Sequence, residues 1–269
     1  MYQFRTMNMS DLPQVVKFIT DFDEDDGKEA EEDFHESGFD NQYVIEVDEK
    51  VVGVSGFRLI PAADNAAWLS WTYVDCDYRR QGLGKKMLQD LILVMREMNV
   101  RKVFVKVSDY CDPEDGAIYE SAEYLYKSVG FKLEVKNVDF YDVNESQFIL
   151  GLSLIEDDNE EVEITEEKPA IHFISVIEIA ETEGSYTFEW DVKKKTLFGK
   201  GNFTVLDLQV GFENVLNRGG RKVFLTFPSN LPLIHPPLKG AGFKYVGQLQ
   251  DYYEKGIHEY HFVYDLPQT

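Results

Sequence analysis

The chain of 269 residues carries 27 basic and 49 acidic side chains, a formal net charge of −22, and is 43% hydrophobic and 14% aromatic. That length suits two compact domains, and that apolar content can fill real cores, so a globally disordered chain is excluded. So acidic a balance argues against nucleic acid or an anionic membrane surface as partner, since both select basic patches.

No apolar run approaches the roughly 20 residues that cross a bilayer, and the stretch Phe148 to Ile155 is far too short. The first residues, MYQFRTMNMSDL, lack a basic region followed by an apolar segment, so no secretory signal is expected. Two cysteines, Cys76 and Cys111, make no disulfide framework and suit a reducing, cytoplasmic setting. Nothing in the composition sets an oligomeric state.

In chain order, residues 21–36 (DFDEDDGKEAEEDFHE) hold ten acids and one lysine. Such a run reads as a solvated acidic face or as a field that steers a cationic ligand. A strand-like run from Trp68 to Val74 then meets a turn, after which Gly82 and Gly84 open an amphipathic helix with Met87, Leu88, Leu91, Ile92 and Met95 on its apolar side. Unpaired N–H groups at a helix start bind phosphate readily, and glycine lets a diphosphate approach the main chain. Arg79, Arg80, Lys85 and Lys86 add positive charge there. Neither the GxxxxGK[ST] spacing nor the wider GxGxxG spacing is present, so these residues point to a phosphate-bearing ligand without naming it.

The strand phrase RKVFVKV at Arg101 returns as RKVFLTF at Arg221. Shifting the chain by 120 residues aligns Leu88-Gln89 with Leu208-Gln209 and Arg101–Phe104 with Arg221–Phe224, six identities in seventeen positions. At an offset of 112, Lys127, Gly130, Phe131, Lys132 and Asp139 meet Lys239, Gly242, Phe243, Lys244 and Asp251. Two blocks in one order imply a duplicated unit of helix, strand, helix and strand. Between the copies, residues 156–167 carry eight acids and no base, the pattern of a self-repelling linker. The expected organisation is therefore a domain over 1–155, an acidic linker over 156–167 and a second domain over 168–269.

The stretch YVDCDYRRQGLGKKML resembles motif A of the GNAT superfamily of acetyl-CoA-dependent N-acetyltransferases, with Arg79-Arg80-Gln81-Gly82-Leu83-Gly84 on its R/Q-x-x-G-x-G/A core. AEYLYKSVGFK resembles the family's A-x-x-L-Y-x-x-x-G-F segment through Ala122, Leu125, Tyr126, Gly130 and Phe131. The early chain fits too: a strand with Arg5, a helix after Ser10-Asp11, and a hairpin turning at Asp48–Lys50. The resemblance covers about residues 1–154 and implies an α/β fold with a mixed sheet (α+β).

By that resemblance, Thr72, Tyr73 and Val74 would bind the pantetheine arm and acetyl carbonyl through backbone groups. Arg79, Arg80, Gln81, Gly82, Leu83, Gly84 and Lys85 would hold the pyrophosphate, and Tyr126 would protonate the leaving thiolate. The implied reaction is direct attack of a primary amine, on a small molecule or peptide, on acetyl-CoA, with no metal. A polyamine, an aminoglycoside or a lysine-rich peptide would suit the acidic run. Two alternatives stand beside it: a donor other than acetyl-CoA, and a sensor that binds acetyl-CoA without turnover.

The chain departs from the pattern in two places. Tyr119 stands where many family members place a cofactor-contacting asparagine, inside a long acidic loop, SDYCDPEDGAIYESAEY. The general base is unassigned, with Asp75, Asp109, Glu120 and Glu123 as positional candidates. Trp68, Trp71, Tyr110 and Tyr119 read as core residues or as the walls of an acceptor pocket. His258 and His261, three apart in an apparent strand, make a poor metal pair.

The second copy loses the chemistry. Gly82 and Gly84 align with Asn202 and Thr204, Arg79 and Arg80 with Gly199 and Lys200, and Tyr126 with Leu238. Pro232, Pro236 and Pro237 break up its second helix. Residues 168–269 are therefore expected to form a smaller, truncated, degenerate GNAT-like domain that does not bind acetyl-CoA.

Overall fold

A computed structural model describes residues 2–111, 119–155, 164–167, 169–192 and 203–267. The chain packs into two compact units: one of Met1–Val105, Ser121–Lys132 and Leu152–Asp157, the other of Lys106–Glu120, Leu133–Gly151 and Asp158–Thr269. Among the described residues, 106–111, 119–120 and 133–151 group with the C-terminal part of the chain. Residues 156–163 of the acidic linker lie outside the described residues.

The first unit opens with β1 (Tyr2–Thr6), α1 (Leu12–Thr20) and α2 (Glu24–Ser37). Leu12, Val15, Phe18 and Ile19 bury one stripe of α1, and Pro13 is tolerated where no intrahelical N–H bond is lost. The Asp23 carboxylate caps α2 by accepting from the N–H groups of Asp25 and Asp26, and the acids of the first turn suit the positive end of the helix dipole. Only Gly27, Ala30 and Phe34 of α2 are buried. Gly27 allows the helices to touch, since a Cβ there would lie 2.1 Å from Thr20 Oγ1 and 2.8 Å from its Cα. Arg5 forks onto Asp11 (2.8 and 2.8 Å) and also reaches Glu46 (2.9 Å), tying β1 to its neighbour strand and to the start of α1.

β2 (Gln42–Val47) and β3 (Lys50–Leu59) form the expected hairpin, with Asp48 and Glu49 at φ of 49° and 65°, the left-handed pair of a tight two-residue turn. Then come β4 (Ala66–Leu69), β5 (Tyr73–Val74), α3 (Leu83–Glu97), β6 (Lys102–Ser108) and α4 (Glu120–Ser128). β4 runs antiparallel to β3 and parallel to β6, while β5 pairs with β3.

The second unit holds the hairpin of β7 (Lys132–Asp142) and β8 (Glu145–Ser153). After it come β9 (Ile171–Glu178), β10 (Ser185–Val192), α5 (Val205–Asn217), β11 (Lys222–Pro228), α6 (His235–Ala241), β12 (Lys244–Glu254) and β13 (Ile257–Asp265). Five of these strands form a sheet in the order β12-β13-β11-β10-β9, parallel only between β10 and β11. Its core gathers Tyr186, Phe188, Leu208, Phe212, Val215 and Phe227. The β7–β8 hairpin is anchored on this sheet. Phe140 packs on Phe224 (centroids 4.9 Å), Ser185 Oγ donates to Phe140 O (2.6 Å), and Lys222 Nζ reaches Val138 O (3.0 Å) and Asp139 (3.1 Å).

The two copies of the repeated phrase occupy matching places. The parallel pairs β4–β6 and β10–β11 each have a helix between their strands in the chain, α3 and α5. Val100 N donates to Met95 O and Gly220 N to Val215 O, each at 2.9 Å. Leu154 N donates to Arg101 O and Leu266 N to Arg221 O, again at 2.9 Å. Asp139 and Asp251 share left-handed φ values of 51° and 53°, and their carboxylates accept from Asn144 N (2.9 Å) and Gly256 N (2.8 Å).

The anchoring of the hairpin is testable by a double-mutant cycle. Phe140→Ala and Phe224→Ala, followed by urea unfolding, should show a coupling of about 0.5–1.5 kcal/mol, the size of an aromatic pair.

Candidate active site

The strand expected from Trp68 to Val74 is broken. β4 pairs with β6 only through Ala66, Ala67 and Trp68, opposite Lys102, Val103 and Phe104. Beyond a gap of three residues, Tyr73 and Val74 pair with Val54 and Gly53 of β3. The two parallel strands therefore part after Trp68, and the β6-facing backbone edge at 72–74 has no strand partner among the described residues.

Each side chain of this break is tied to a different element. Ser70 Oγ donates to Gln42 Oε1 (2.7 Å), and Trp71 Nε1 donates to Asp33 Oδ2 (2.9 Å), which Arg58 also grips (2.7 Å). Thr72 Oγ1 donates to Ser70 O and bonds Ser55 Oγ, both at 2.9 Å, while Tyr73 OH donates to Asp26 Oδ2. Alternation sends Thr72 and Val74 one way and Tyr73 the other. Val74 packs with Leu83 and Met87 of α3; Trp71 and Tyr73 pack with the α1–α2 core.

Thr72 also lies by Tyr126. The phenol of Tyr126 is 6% exposed and packs its ring on Phe131 (5.7 Å). Burial pushes its pKa up to about 12, against a smaller lowering by the neighbouring Thr72 side chain, so it stays protonated through neutral pH. Two residues 54 positions apart in the chain, both expected at the site, are thus neighbours.

The glycine turn lies where the helix begins. Gly82 caps α3 at φ +79° with no side-chain cap, and open space surrounds the place where a Cβ would project. Leu83 is buried, whereas Arg80, Gln81, Gly82 and Lys85 are exposed. A Cβ on Gly84 would lie 3.2 Å from Leu125 and 3.5 Å from Val74, so the glycine lets α3 approach both α4 and β5. Open helix N–H groups, flanking cations and a glycine surface suit a diphosphate. Arg79 is differently employed: its Nε donates to Val74 O (2.9 Å) and its guanidinium lies 4.7 Å from the Phe22 ring. It braces β5 against the α1–α2 turn.

The positional base candidates are dispersed. Asp75 is bound to Lys50 (2.9 Å) and to Asp77 N (3.0 Å), and Lys50 holds its carboxyl below the usual range although burial opposes it. Asp109 accepts from Ser146 N (2.5 Å), Glu123 pairs with Lys127 (2.6 Å), and Glu120 is exposed. Trp68 stacks obliquely on Phe104 (5.4 Å), and Tyr110 is exposed. Residues 112–118 of the acidic loop lie outside the described residues. His258 and His261 have separate partners, Asp251 N (2.9 Å) and Glu259 (3.0 Å). Among the described residues, no helix is long and apolar enough to cross a membrane.

The acidic run of α2 is more than a solvated face, since Asp26 and Asp33 hold Tyr73 and Trp71. Sequence reading missed Ser55, Gln42, Arg58 and these two acids, because every link joins distant segments.

Residues 7–124 match the family described as Acetyltransferase (GNAT) family. A curated relative, "Probable N-acetyltransferase camello" of Xenopus laevis, is 29% identical over 103 residues, which are 38% of this chain and 43% of that protein. The match thus spans less than half of the relative's length. A solved GNAT-family structure from Desulfovibrio desulfuricans superposes with a TM-score of 0.50 at 19% identity, covering 58% of this chain and all of that one. This chain carries a GNAT acetyltransferase domain over residues 7–124, in a mixed α/β fold.

Two neighbouring arginines should behave differently. Arg79→Met, which unties Val74 and Phe22, should lower stability by about 1 kcal/mol. Arg80→Met at an exposed guanidinium should change it by less than about 0.5 kcal/mol. Urea midpoints of the two variants give the comparison.

Proposed function

We propose that the domain transfers the acetyl group of acetyl-CoA to a primary amine by direct attack. The observation that carries this reading is the meeting of three features on one side of β5: the parted backbone at Thr72–Val74, the open glycine turn at Gly82–Lys85, and the buried Tyr126 phenol beside Thr72. In this reading the diphosphate rests on Arg80 to Lys85, with Leu83 packing beneath and Gln81 at the rim. The pantetheine arm adds to the edge of Thr72, Tyr73 and Val74 that faces away from β3, where Arg79 holds the Val74 carbonyl. Acetyl-CoA supplies the activated thioester. A main-chain N–H on that edge stabilises the developing oxyanion, and Tyr126 protonates the departing sulfur. Arg79 belongs to this site as a brace on the Val74 carbonyl, not as a phosphate ligand.

The residues after 168 we read as a degenerate copy of the same domain. Its support is the matched parallel pairs and hydrogen bonds, and the fate of one residue. Trp190 stands 119 residues after Trp71, the spacing that also relates Ala66 to Ser185 in the pairs Ala66–Lys102 and Ser185–Lys222. Each tryptophan lies where pairing to the neighbouring antiparallel strand shifts register. The Trp190 indole donates to Thr226 O (3.2 Å) and packs on Phe227 (4.9 Å). In this reading the tryptophan links the two strands that the first copy leaves apart.

CoA thiol release, measured across polyamines, aminoglycosides, amino acids and peptide N-termini, tests the activity. Gly84→Glu should abolish acetyl-CoA binding by calorimetry, because the side chain must displace Leu125 or Val74. Tyr126→Phe should lower kcat by about 10²-fold or more while leaving the KM for acetyl-CoA nearly unchanged. Unchanged binding in the first variant would overturn the cofactor site, and an unchanged kcat in the second would overturn the acid.

A further inference from the structure

The reaction needs a group to take the proton that the attacking amine loses, and the strand face opposite Tyr126 presents one. We propose that Tyr73 and Asp26 form the proton-accepting dyad of the acetyl transfer, Tyr73 touching the amine and Asp26 receiving the proton. The proposal deepens the acetyltransferase reading and rests on it.

Three observations place the dyad. First, alternation along β5 divides the two sides of the acyl site. Thr72 turns to Tyr126 and Val74 to α3, the helices that carry the acid and the glycine turn, so that side is taken by the donor. A nucleophile must reach the same carbonyl from the other side, and Tyr73 is the residue between them that points there. Second, Tyr73 OH donates to Asp26 Oδ2, while the Asp26 N–H is held by the Asp23 carboxylate (3.1 Å) at the capped start of α2. The carboxylate is therefore fixed with respect to the strand, and both residues are only partly buried. Third, the surroundings suit an ammonium ion. The Phe22 ring meets Tyr73 edge-on at 5.6 Å and Trp71 lies 6.4 Å away. The nearby cations are engaged, Arg79 over Phe22 and Arg58 on Asp33.

The step balances. As the amine nitrogen bonds to the acetyl carbon, an N–H proton passes to Tyr73 Oη and the phenolic proton passes to Asp26. As the carbon–sulfur bond breaks, the sulfur takes its proton from Tyr126. Solvent then returns Asp26 and Tyr126 to their starting states. No strand carboxylate is needed, which accounts for its absence between Trp68 and Val74.

The test uses the full chain with a lysine-containing peptide, spermidine and kanamycin as acceptors, reading CoA thiol release from pH 6 to 10. Asp26→Asn and Tyr73→Phe should each lower kcat/KM for the amine about 10²-fold at neutral pH with the KM for acetyl-CoA unchanged. The deficit should narrow toward pH 10, because a lysine-type amine with a pKa of about 10.4 then arrives deprotonated. Asp26→Glu should recover part of the rate. Tyr73→Phe keeps the ring in place and guards against loss of fold in Asp26→Asn, with urea midpoints as the check. A deficit that is the same at every pH, or full activity in both variants, overturns the dyad while leaving the acetyltransferase standing. Wild-type protein that releases no thiol with any acceptor overturns the acetyltransferase reading itself, and the dyad with it.

Discussion

The parting of two parallel strands after Trp68 is the constraint on which the first unit depends. A strand that leaves its neighbour exposes backbone groups that would otherwise be paired, and unpaired groups are costly unless something else satisfies or hydrates them. Here the break is fixed by side chains from three elements: Gln42 on Ser70, Asp33 on Trp71, Ser55 on Thr72, and Asp26 on Tyr73. None of these bonds is strong alone, at about 1 kcal/mol net each. Together they decide which way each of four consecutive side chains points, and so they separate one face of the broken strand from the other.

The C-terminal sheet treats a parallel strand pair differently. β10 and β11 pair only at Ser185–Lys222 and Tyr186–Val223. Beyond that point the Trp190 indole donates to Thr226 O (3.2 Å) and packs on Phe227 (4.9 Å), so a side chain links the two strands. In the first unit the tryptophan after β4 is held instead by an α2 carboxylate. Packing positions tolerate substitution as long as volume and pattern are kept, whereas an open gap needs several specific partners at once.

Much of this was legible in the residues. The apolar spacing of Leu83–Met95 placed α3, the Asp48–Lys50 segment placed the hairpin turn, and the repeated RKVF phrase located two equivalent strands. The Gly82–Gly84 turn and the helix of Tyr126 were legible from local pattern, because a glycine turn and a helix segment are short and contiguous. The contacts of Arg79, Asp26 and Asp33 were not. Arg79, expected among the phosphate cations, holds the Val74 carbonyl and lies over the Phe22 ring. Asp26 and Asp33 sat unmarked within ten acids of a kind. Nor does the charge of the linker show which strands group with β7 and β8.

The sequence by itself determined the periodic elements, the recurrence of the RKVF phrase, and the presence of a glycine turn with a tyrosine downstream. These are properties of short windows, where spacing translates directly into which face is buried. Only the tertiary structure decided that the strand breaks at Ser70–Thr72, that Tyr126 lies by Thr72, and that a single aspartate of an acidic helix meets Tyr73. Such contacts join residues 47 to 54 positions apart, and they exist because helices and strands of fixed length dock at one angle and register. No local pattern encodes that docking.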